Sequence, residues 1–241
     1  MTQPPRNALK KVWFWFRVLE SLLILSFALA VTIKAILDGK SGIWKGTPAA
    51  AAIVIFFILM CIVGLMEGMQ IAAFALVKLP DEVLQTYGFA YKNCKLMFSG
   101  SNFQAFLIGR QIFVAALMFI VARIATVNVK KGEPTIFGVS EGFQNFINTG
   151  LLGSVILTII GSLAWRIIAS SFPVAFMSNP LIYVILRITL FLDMIGIASA
   201  SWLLALINKQ VVNYKRDEEY IGHLQANDLA LEQEETAEAK A

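Results

Sequence analysis

The chain has 241 residues, of which 58% are hydrophobic and 15% are charged, and its formal net charge at pH 7 is +4. Soluble domains carry about 25% charged residues, so the composition excludes an ordinary soluble domain. Long apolar runs indicate a protein that crosses a membrane several times. The basic residues lie mostly in loops, where the membrane surface explains them, and we expect no nucleic acid partner.

The first half of the chain is predicted to hold three spans, which follow an N-terminal flank at 1–12. Span one covers roughly 13–36 and opens with aromatic and basic side chains suited to the headgroup level. Span two lies within 48–77. A straight helix of that length is about 45 Å long against a hydrocarbon core of about 30 Å, so it must tilt, overhang or break. Residues 81–101, which include Cys94, are expected at the interface or in a loop, and span three covers about 103–127.

Two further spans are predicted in the second half, at about 146–169 and 181–208. Pro173 and Pro180 between them argue against one continuous helix, and a tight turn or a re-entrant stretch fits best. The polar residues 209–241 are expected to form a partly disordered tail. The sequence therefore predicts an all-α, polytopic membrane protein with about five transmembrane helices within 13–208 and a re-entrant or broken segment.

An odd number of spans places the two termini on opposite sides of the membrane. The lysines and arginines of the loops and flanks divide evenly between the sides, so the positive-inside rule gives no orientation. Three interpretations remain open. The span count is off by one, other features fix the orientation, or the chain inserts both ways and pairs head to tail.

The tetrapeptide Glu-Gly-x-Gln occurs twice, at 67–70 and 141–144, and Gly-Arg-Gln at 109–111 lies between the copies. Ionisable groups are costly at bilayer depth, about 2.5–3.5 kcal/mol each, so they usually serve a site or a pathway. Only twelve residues separate Arg110 from Arg123, a helical rise of about 20 Å against a hydrocarbon core of about 30 Å. At least one arginine must therefore snorkel or be buried, and we predict a buried ion pair between Arg110 and Glu67.

Glutamines surround this pair in the predicted spans. Gln70 shares a helix face with Glu67, and Gln104 shares one with Gln111. Carboxylate and amide groups together offer acceptors and donors to a polar solute. The simpler interpretation is that Glu67 and Arg110 only hold two helices together, but amides in lipid have no obvious packing use.

The other polar positions remain ambiguous. Glu141 lies at the mouth of span four, where it either interacts with a helix dipole or, with Gln144, lines a vestibule. Arg166 is either an interfacial anchor or part of a functional pair. Asp193, near the middle of span five, is a candidate Na⁺ ligand or a helix–helix hydrogen-bond partner. Gly64 and Gly68 are spaced to admit the backbone of a second helix beside Glu67.

Glu-Gly-x-Gln followed by Gly-Arg-Gln resembles the signature of the diatom-type silicic acid transporters and their five-span relatives. The stretches 104–111, 146–153, 163–173 and 178–183 are also similar to that family. Residue by residue, the first motif matches at Glu67, Gly68 and Gln70, and the second at Gly109, Arg110 and Gln111. No Gly-Arg-Gln follows 141–144, so the second copy matches the family in the tetrapeptide alone.

The resemblance implies Na⁺-coupled transport of silicic acid, a small neutral solute with four hydroxyls, across the plasma membrane. Ten-span members of the family are similar to two five-span halves, so the resemblance also implies a homodimer, in parallel or antiparallel arrangement. We expect no organic cofactor and no enzyme activity, since no histidine cluster or metal-ligand spacing is present. The alternatives are a non-transporting membrane scaffold, or a transporter of another small neutral solute such as boric acid.

Overall fold

A computed structural model describes residues 8–212, apart from 45 and 78. The predicted tail lies outside the described residues from 213 onward. Over the described part the protein is all-α, as predicted, with one isolated antiparallel bridge between Ser41 and Val127. Residues up to Ile195 form one compact unit, and those from Gly196 belong to a second.

The helices of the first unit are α1 (Ala8–Leu37), α2 (Ala49–Leu76), α3 (Asp81–Gln85), α4 (Gly88–Met97), α5 (Asn102–Ala125), α6 (Glu141–Asn148), α7 (Leu151–Ser171), α8 (Pro173–Met177) and α9 (Pro180–Met194). A short 3₁₀ turn, Ile136–Gly138, precedes α6. The middle of α7, Leu157–Leu163, is π-helical. The described part of the second unit holds α10 (Ala200–Val212).

Four of these helices, α1, α2, α5 and α7, are long and apolar enough to cross a membrane. The most apolar of the four is α2. Its 28 residues form one unbroken helix of about 42 Å. Of the three options predicted for span two, a break is therefore excluded, and tilt or overhang remains.

The predicted fourth span was wrong at its start. Gly150 has φ +80°, the left-handed region that favours glycine, and it separates α6 from α7. The long helix therefore begins at Leu151 rather than at 146, and the second tetrapeptide lies on its own short helix.

The predicted fifth span was wrong as one continuous helix. After 15 residues α9 ends at Met194, and Gly196 has φ +80°. A helix of 15 residues is about 22 Å long, which is shorter than the hydrocarbon core of about 30 Å. Of the two alternatives for 81–101, the loop was wrong, because α3 and α4 form there and Cys94 is buried in α4, and the interfacial position stays a prediction.

The two prolines prevent one continuous helix, as predicted. Pro173 and Pro180 occupy the first turns of α8 and α9, where the missing N–H leaves no hydrogen bond broken. The Asn179 side chain caps α9 by accepting a hydrogen bond from the Leu181 N–H at 3.0 Å. The connection between α7 and α9 is thus the five-residue helix α8, and both α8 and α9 begin at a proline.

The long helix α2 runs through two hydrophobic clusters. Its C-terminal half packs with α4, the first two thirds of α5, the end of α7, α8 and α9, which we call the first cluster. Its N-terminal half packs with the ends of α1 and α5 and with the start of α7, which we call the second cluster. Glu67 lies on the half that belongs to the first cluster.

Candidate functional site

Three helices meet at the carboxylate of Glu67. Arg110 on α5 donates from Nη1 to Oε1 at 3.0 Å, and Arg166 on α7 donates from Nε to Oε2 at 2.9 Å. The Nη2 of Arg166 also contacts Oε2. Glu67 is 4% exposed and Arg110 is 6% exposed. The ion pair predicted between Glu67 and Arg110 is confirmed, and Arg166 completes what we call the charged cluster.

The helix register explains why these side chains meet. Helices α2 and α5 are antiparallel. Phe74, which follows Glu67 on α2, packs edge-on against Phe103, which precedes Arg110 on α5. Glu67 is nine residues from the end of α2 and Arg110 is eight residues from the start of α5. Those separations are about 14 and 12 Å of helix, so the two charges lie at matching depth.

Helix α7 runs parallel to α2 and brings Arg166 to the same level. A Cβ built on Gly161 would lie 3.2 Å from the Met60 sulfur, and one on Gly64 would lie 2.2 Å from the Trp165 ring. In both contacts the same number of residues separates the two partners in the sequence. The two helices are therefore parallel, and their register is fixed. Arg166 follows Trp165 and therefore reaches Glu67, one turn beyond Gly64.

The motif glycines are packing positions. A Cβ on Gly68 would lie 2.4 Å from Cζ of Phe176, and one on Gly109 would lie 1.9 Å from the carbonyl oxygen of Thr189. The expectation that a helix backbone approaches Gly64 and Gly68 was wrong, because aromatic rings of α7 and α8 fill that space. Close approach of two backbones occurs instead at Gly109, against α9.

The charged cluster carries an excess of one positive charge, since two guanidinium groups share one carboxylate. Arg110 also donates from Nη2 to Oε1 of Gln111 at 3.3 Å, but its buried Nε has no acceptor among the described residues. The side chain of Arg166 is 44% exposed, against 8% for Arg110. The cluster therefore holds one deeply buried ion pair, one more open ion pair and one unused donor.

The predicted amides lie at different distances from this centre. Gln111 is exposed and contacts Arg110 directly. Gln70 is half-buried one turn after Glu67, and its amide forms no hydrogen bond within the part of the chain that the structure describes. Gln104 is exposed near the start of α5 and likewise has no hydrogen-bond partner among those residues. Gln70 and Gln111 thus remain candidates beside the cluster, and Gln104 lies apart from it.

The second tetrapeptide lies elsewhere. Gln144 is 3% exposed, and its Oε1 accepts from the Ile136 N–H at 2.9 Å. Its Nε2 donates to Oδ1 of Asn148, which in turn bonds the backbone of Val129. Glu141 is exposed in the first turn of α6 and forms no ion pair among the described residues. Gln144 thus holds the 129–136 loop onto α6, within the second cluster.

Asp193 lies in the last turn of α9 and is half-buried, not in the middle of a continuous span. Its main-chain nitrogen would be 3.3 Å from a Cβ on Gly109, which places it near the helix of Arg110. Its carboxylate has no hydrogen-bond or ion-pair partner among the described residues. Over the same residues no group of three or more His, Cys, Asp or Glu side chains could hold a metal ion.

Sequence reasoning left Arg166 undecided between two roles. The signal that identifies it was present: span four carries an arginine, and one carboxylate beside Arg110 can accept from two guanidinium groups. What the sequence lacked was the register of α7 against α2. That register depends on the start of α7 at Leu151 and on its π-helical section, and neither was predicted.

Four membrane-length helices, three of which bury a charged cluster between them, define a multi-pass membrane protein. The family model for the silicon transporters matches residues 1–240, and the chain belongs to that family. The resemblance inferred from the motifs is confirmed, and the protein belongs among the membrane transporters. No curated protein and no solved structure matches the chain.

Proposed function

We propose that this protein transports silicic acid across the plasma membrane together with Na⁺, and that the charged cluster with Gln70 and Gln111 binds the solute. The observation that carries the proposal is the unused Nε donor of Arg110. It is buried beside a carboxylate, on a residue that lies about 12 Å along α5 from the start of that helix. A buried donor without a partner is unfavourable, and a hydroxylated solute would satisfy it.

The chemistry of the solute matches this set of groups. Each hydroxyl of silicic acid can donate one hydrogen bond and accept others. The Glu67 carboxylate accepts, the guanidinium groups donate, and the amides of Gln70 and Gln111 do both. A neutral solute gains little from net charge, so recognition rests on the number and direction of these hydrogen bonds.

The unequal burial of the two ion pairs supports a mechanism. Breaking a buried pair such as Arg110–Glu67 costs about 3–5 kcal/mol, whereas an exposed pair contributes about 0–1 kcal/mol. We infer that the Arg110–Glu67 pair stays formed and that the more open Arg166–Glu67 contact exchanges for solute hydroxyls. Arg166 follows the π-helical section of α7, and such sections often occur at functional sites.

The coupling ion and the assembly belong to the same proposal. Na⁺ prefers oxygen ligands, and the Asp193 carboxylate, which is unpaired among the described residues, is our candidate ligand near the helix of Arg110. We further propose that α9 begins a fifth, interrupted crossing. On this view the five-span chain works as a homodimer, in parallel or antiparallel arrangement.

A structural role for the cluster is the second candidate, because both oxygens of Glu67 already accept from arginines. In that case the cluster only fastens α2, α5 and α7 together. Exchanging the buried charges and removing the third cation (Glu67→Arg with Arg110→Glu and Arg166→Gln) separates the two candidates, because Arg166 would otherwise repel the new arginine. A fastening pair regains function on exchange, whereas a solute site stays inactive because its donors and acceptors have changed places.

Uptake of silicic acid into proteoliposomes tests the proposal. We expect uptake that rises with an inward Na⁺ gradient, is abolished by Glu67→Gln and is retained by Glu141→Gln, the matched change in the other tetrapeptide. Uptake that ignores the Na⁺ gradient would remove the coupling. Boric acid carried at an equal rate would remove the assignment of the solute.

A further inference from the structure

A second polar feature lies away from the charged cluster, in a cleft between α4, the start of α5 and α9. Its volume is about 370 Å³, and its polar lining includes Lys92, Lys95, Ser99 and Arg187. We call it the basic cleft. None of these residues has a role in the proposed transport of silicic acid, so the cleft requires its own explanation.

Within the described part of the chain, three cations line the basic cleft and no carboxylate balances them. Lys92, Lys95 and Arg187 face it, and none forms an ion pair with an acidic residue in the described part of the chain. Three like charges beside one cavity repel one another, and an anion bound between them would relieve that repulsion. The lining therefore favours a ligand with concentrated negative charge.

Tyrosine rings hold the cations in place. The Lys92 Nζ lies 4.5 Å from the centroid of the Tyr183 ring, and Arg187 donates from Nη2 to the hydroxyl oxygen of Tyr183 at 3.0 Å. The Lys95 Nζ lies 5.7 Å from the centroid of the Tyr91 ring. Such contacts restrict long side chains before a ligand arrives, which lowers the entropy lost on binding.

The position of the basic cleft points to the membrane surface. It lies where α5 and α9 begin, at the end of the protein where α2 and α7 terminate. Beside it, α9 presents apolar side chains outward: Leu181 is 57% exposed, Val184 54% and Phe191 55%. A ligand with an anionic head and an apolar tail fits a basic cleft that adjoins an apolar helix face.

We propose that the basic cleft binds the phosphate-bearing headgroup of an anionic phospholipid, with its acyl chains along α9. Lysine and arginine side chains donate charge-assisted hydrogen bonds to phosphate oxygens, and basic pockets beside membrane helices commonly recognise such headgroups. The site lies on α9, whose backbone packs against Gly109. A bound lipid therefore steadies the helix that supports the charged cluster.

Lipid binding to the full-length protein in detergent, measured by native mass spectrometry, tests the assignment. Phosphatidic acid and phosphatidylcholine are titrated separately, and inorganic phosphate is added in a third series. We expect tight, saturable binding of phosphatidic acid only. Each basic residue near a lipid surface contributes about 1 kcal/mol, so Lys92→Gln with Arg187→Gln weakens binding by about thirtyfold.

The matched control is Lys130→Gln with Lys131→Gln, which removes the same charge from the loop before α6 and leaves binding unchanged. Lys92→Arg, which keeps the charge, also retains binding, and an unchanged melting temperature of the double glutamine variant shows that its loss does not come from misfolding. An equal loss in the control, or equal binding of phosphatidylcholine, overturns the proposal. Displacement of phosphatidic acid by millimolar inorganic phosphate would assign the cleft to the free anion and overturn the lipid assignment.

Discussion

The two copies of Glu-Gly-x-Gln have the same residues in the same order, yet they lie in different surroundings. In the first copy the glutamate is buried between two arginines, the glycine touches an aromatic ring and the glutamine is unpaired among the described residues. In the second the glutamate is exposed, the glycine has open space and the glutamine is buried and bonded. The comparison teaches that a short motif acquires its role from the helix that carries it.

Replacing the two glutamates gives the largest contrast. Glu67→Gln leaves two arginines without a counter-charge, one of them buried, and should lower the free energy of unfolding by about 3–5 kcal/mol. Glu141→Gln removes only a first-turn interaction with the helix dipole, about 0.3–1 kcal/mol. Unfolding of the purified variants in detergent micelles measures both. Equal losses of unfolding free energy would contradict the different roles of the two glutamates.

The glutamines should show opposite effects on stability and transport. Gln144→Leu leaves the buried Ile136 N–H without an acceptor and should cost about 1–3 kcal/mol of unfolding free energy, with uptake per folded molecule maintained. Gln70→Leu removes an amide that holds no other described group, so stability should stay near the wild-type value while uptake falls. Melting temperature and proteoliposome uptake, measured on the same preparations, check the two. Loss of uptake with both variants would contradict the division of roles.

The glycines sharpen the comparison further. Gly68→Ala places a methyl group 2.4 Å from the Phe176 ring and should destabilise by about 1–3 kcal/mol through overpacking. Gly142→Ala meets no atom within 4 Å and should be neutral or stabilising by up to about 1 kcal/mol, because alanine favours a helix. Thermal melts of the two single variants provide the measurement. A stable Gly68→Ala variant would show that Phe176 moves aside easily.

Cys94 offers the smallest and most local effect. It lies in the first cluster, where burial raises the pKa of its thiol to about 11. Because the folded protein favours the neutral thiol, the thiol's contribution to the free energy of unfolding is complete below the ordinary thiol pKa. That contribution is lost as pH rises through about 11. At pH 8 the reactive thiolate is scarce and alkylation should be slow. In a Cys61→Ala background, Glu67→Gln should speed the alkylation of Cys94, because it destabilises the part of the protein that buries the thiol. Glu141→Gln should leave the rate of alkylation unchanged.

The sequence predicted the parts of the molecule that follow from hydropathy and charge. Long apolar runs gave α1, α2 and α5 nearly to their ends, and the cost of an isolated charge in lipid predicted the pairing of Glu67 with Arg110. The helix breaks at Gly150 and Gly196 were missed, because a single glycine within an apolar run does not reveal its φ angle. Those breaks decide where α7 begins and where α9 ends, and hence the positions of Arg166 and Asp193.

The packing of the motif glycines was also beyond the sequence. A small residue predicts that something approaches closely, but it does not say whether that is a backbone or a ring. At Gly109 it is the backbone of α9, and at Gly68 it is the ring of Phe176. The sequence also did not predict how different the surroundings of Glu141 and Glu67 are, because identical tetrapeptides give no information about the tertiary contacts of their helices.

Equilibrium binding of silicic acid to the purified protein tests the central claim most directly. The wild-type protein and Glu141→Gln should bind it with the same affinity and gain the same thermal stability from it, since a ligand stabilises the state that it binds. Glu67→Gln and Gln70→Leu should lose that gain. If Glu67→Gln binds silicic acid as tightly as the wild type does, the charged cluster is a fastening between helices and the solute site lies elsewhere.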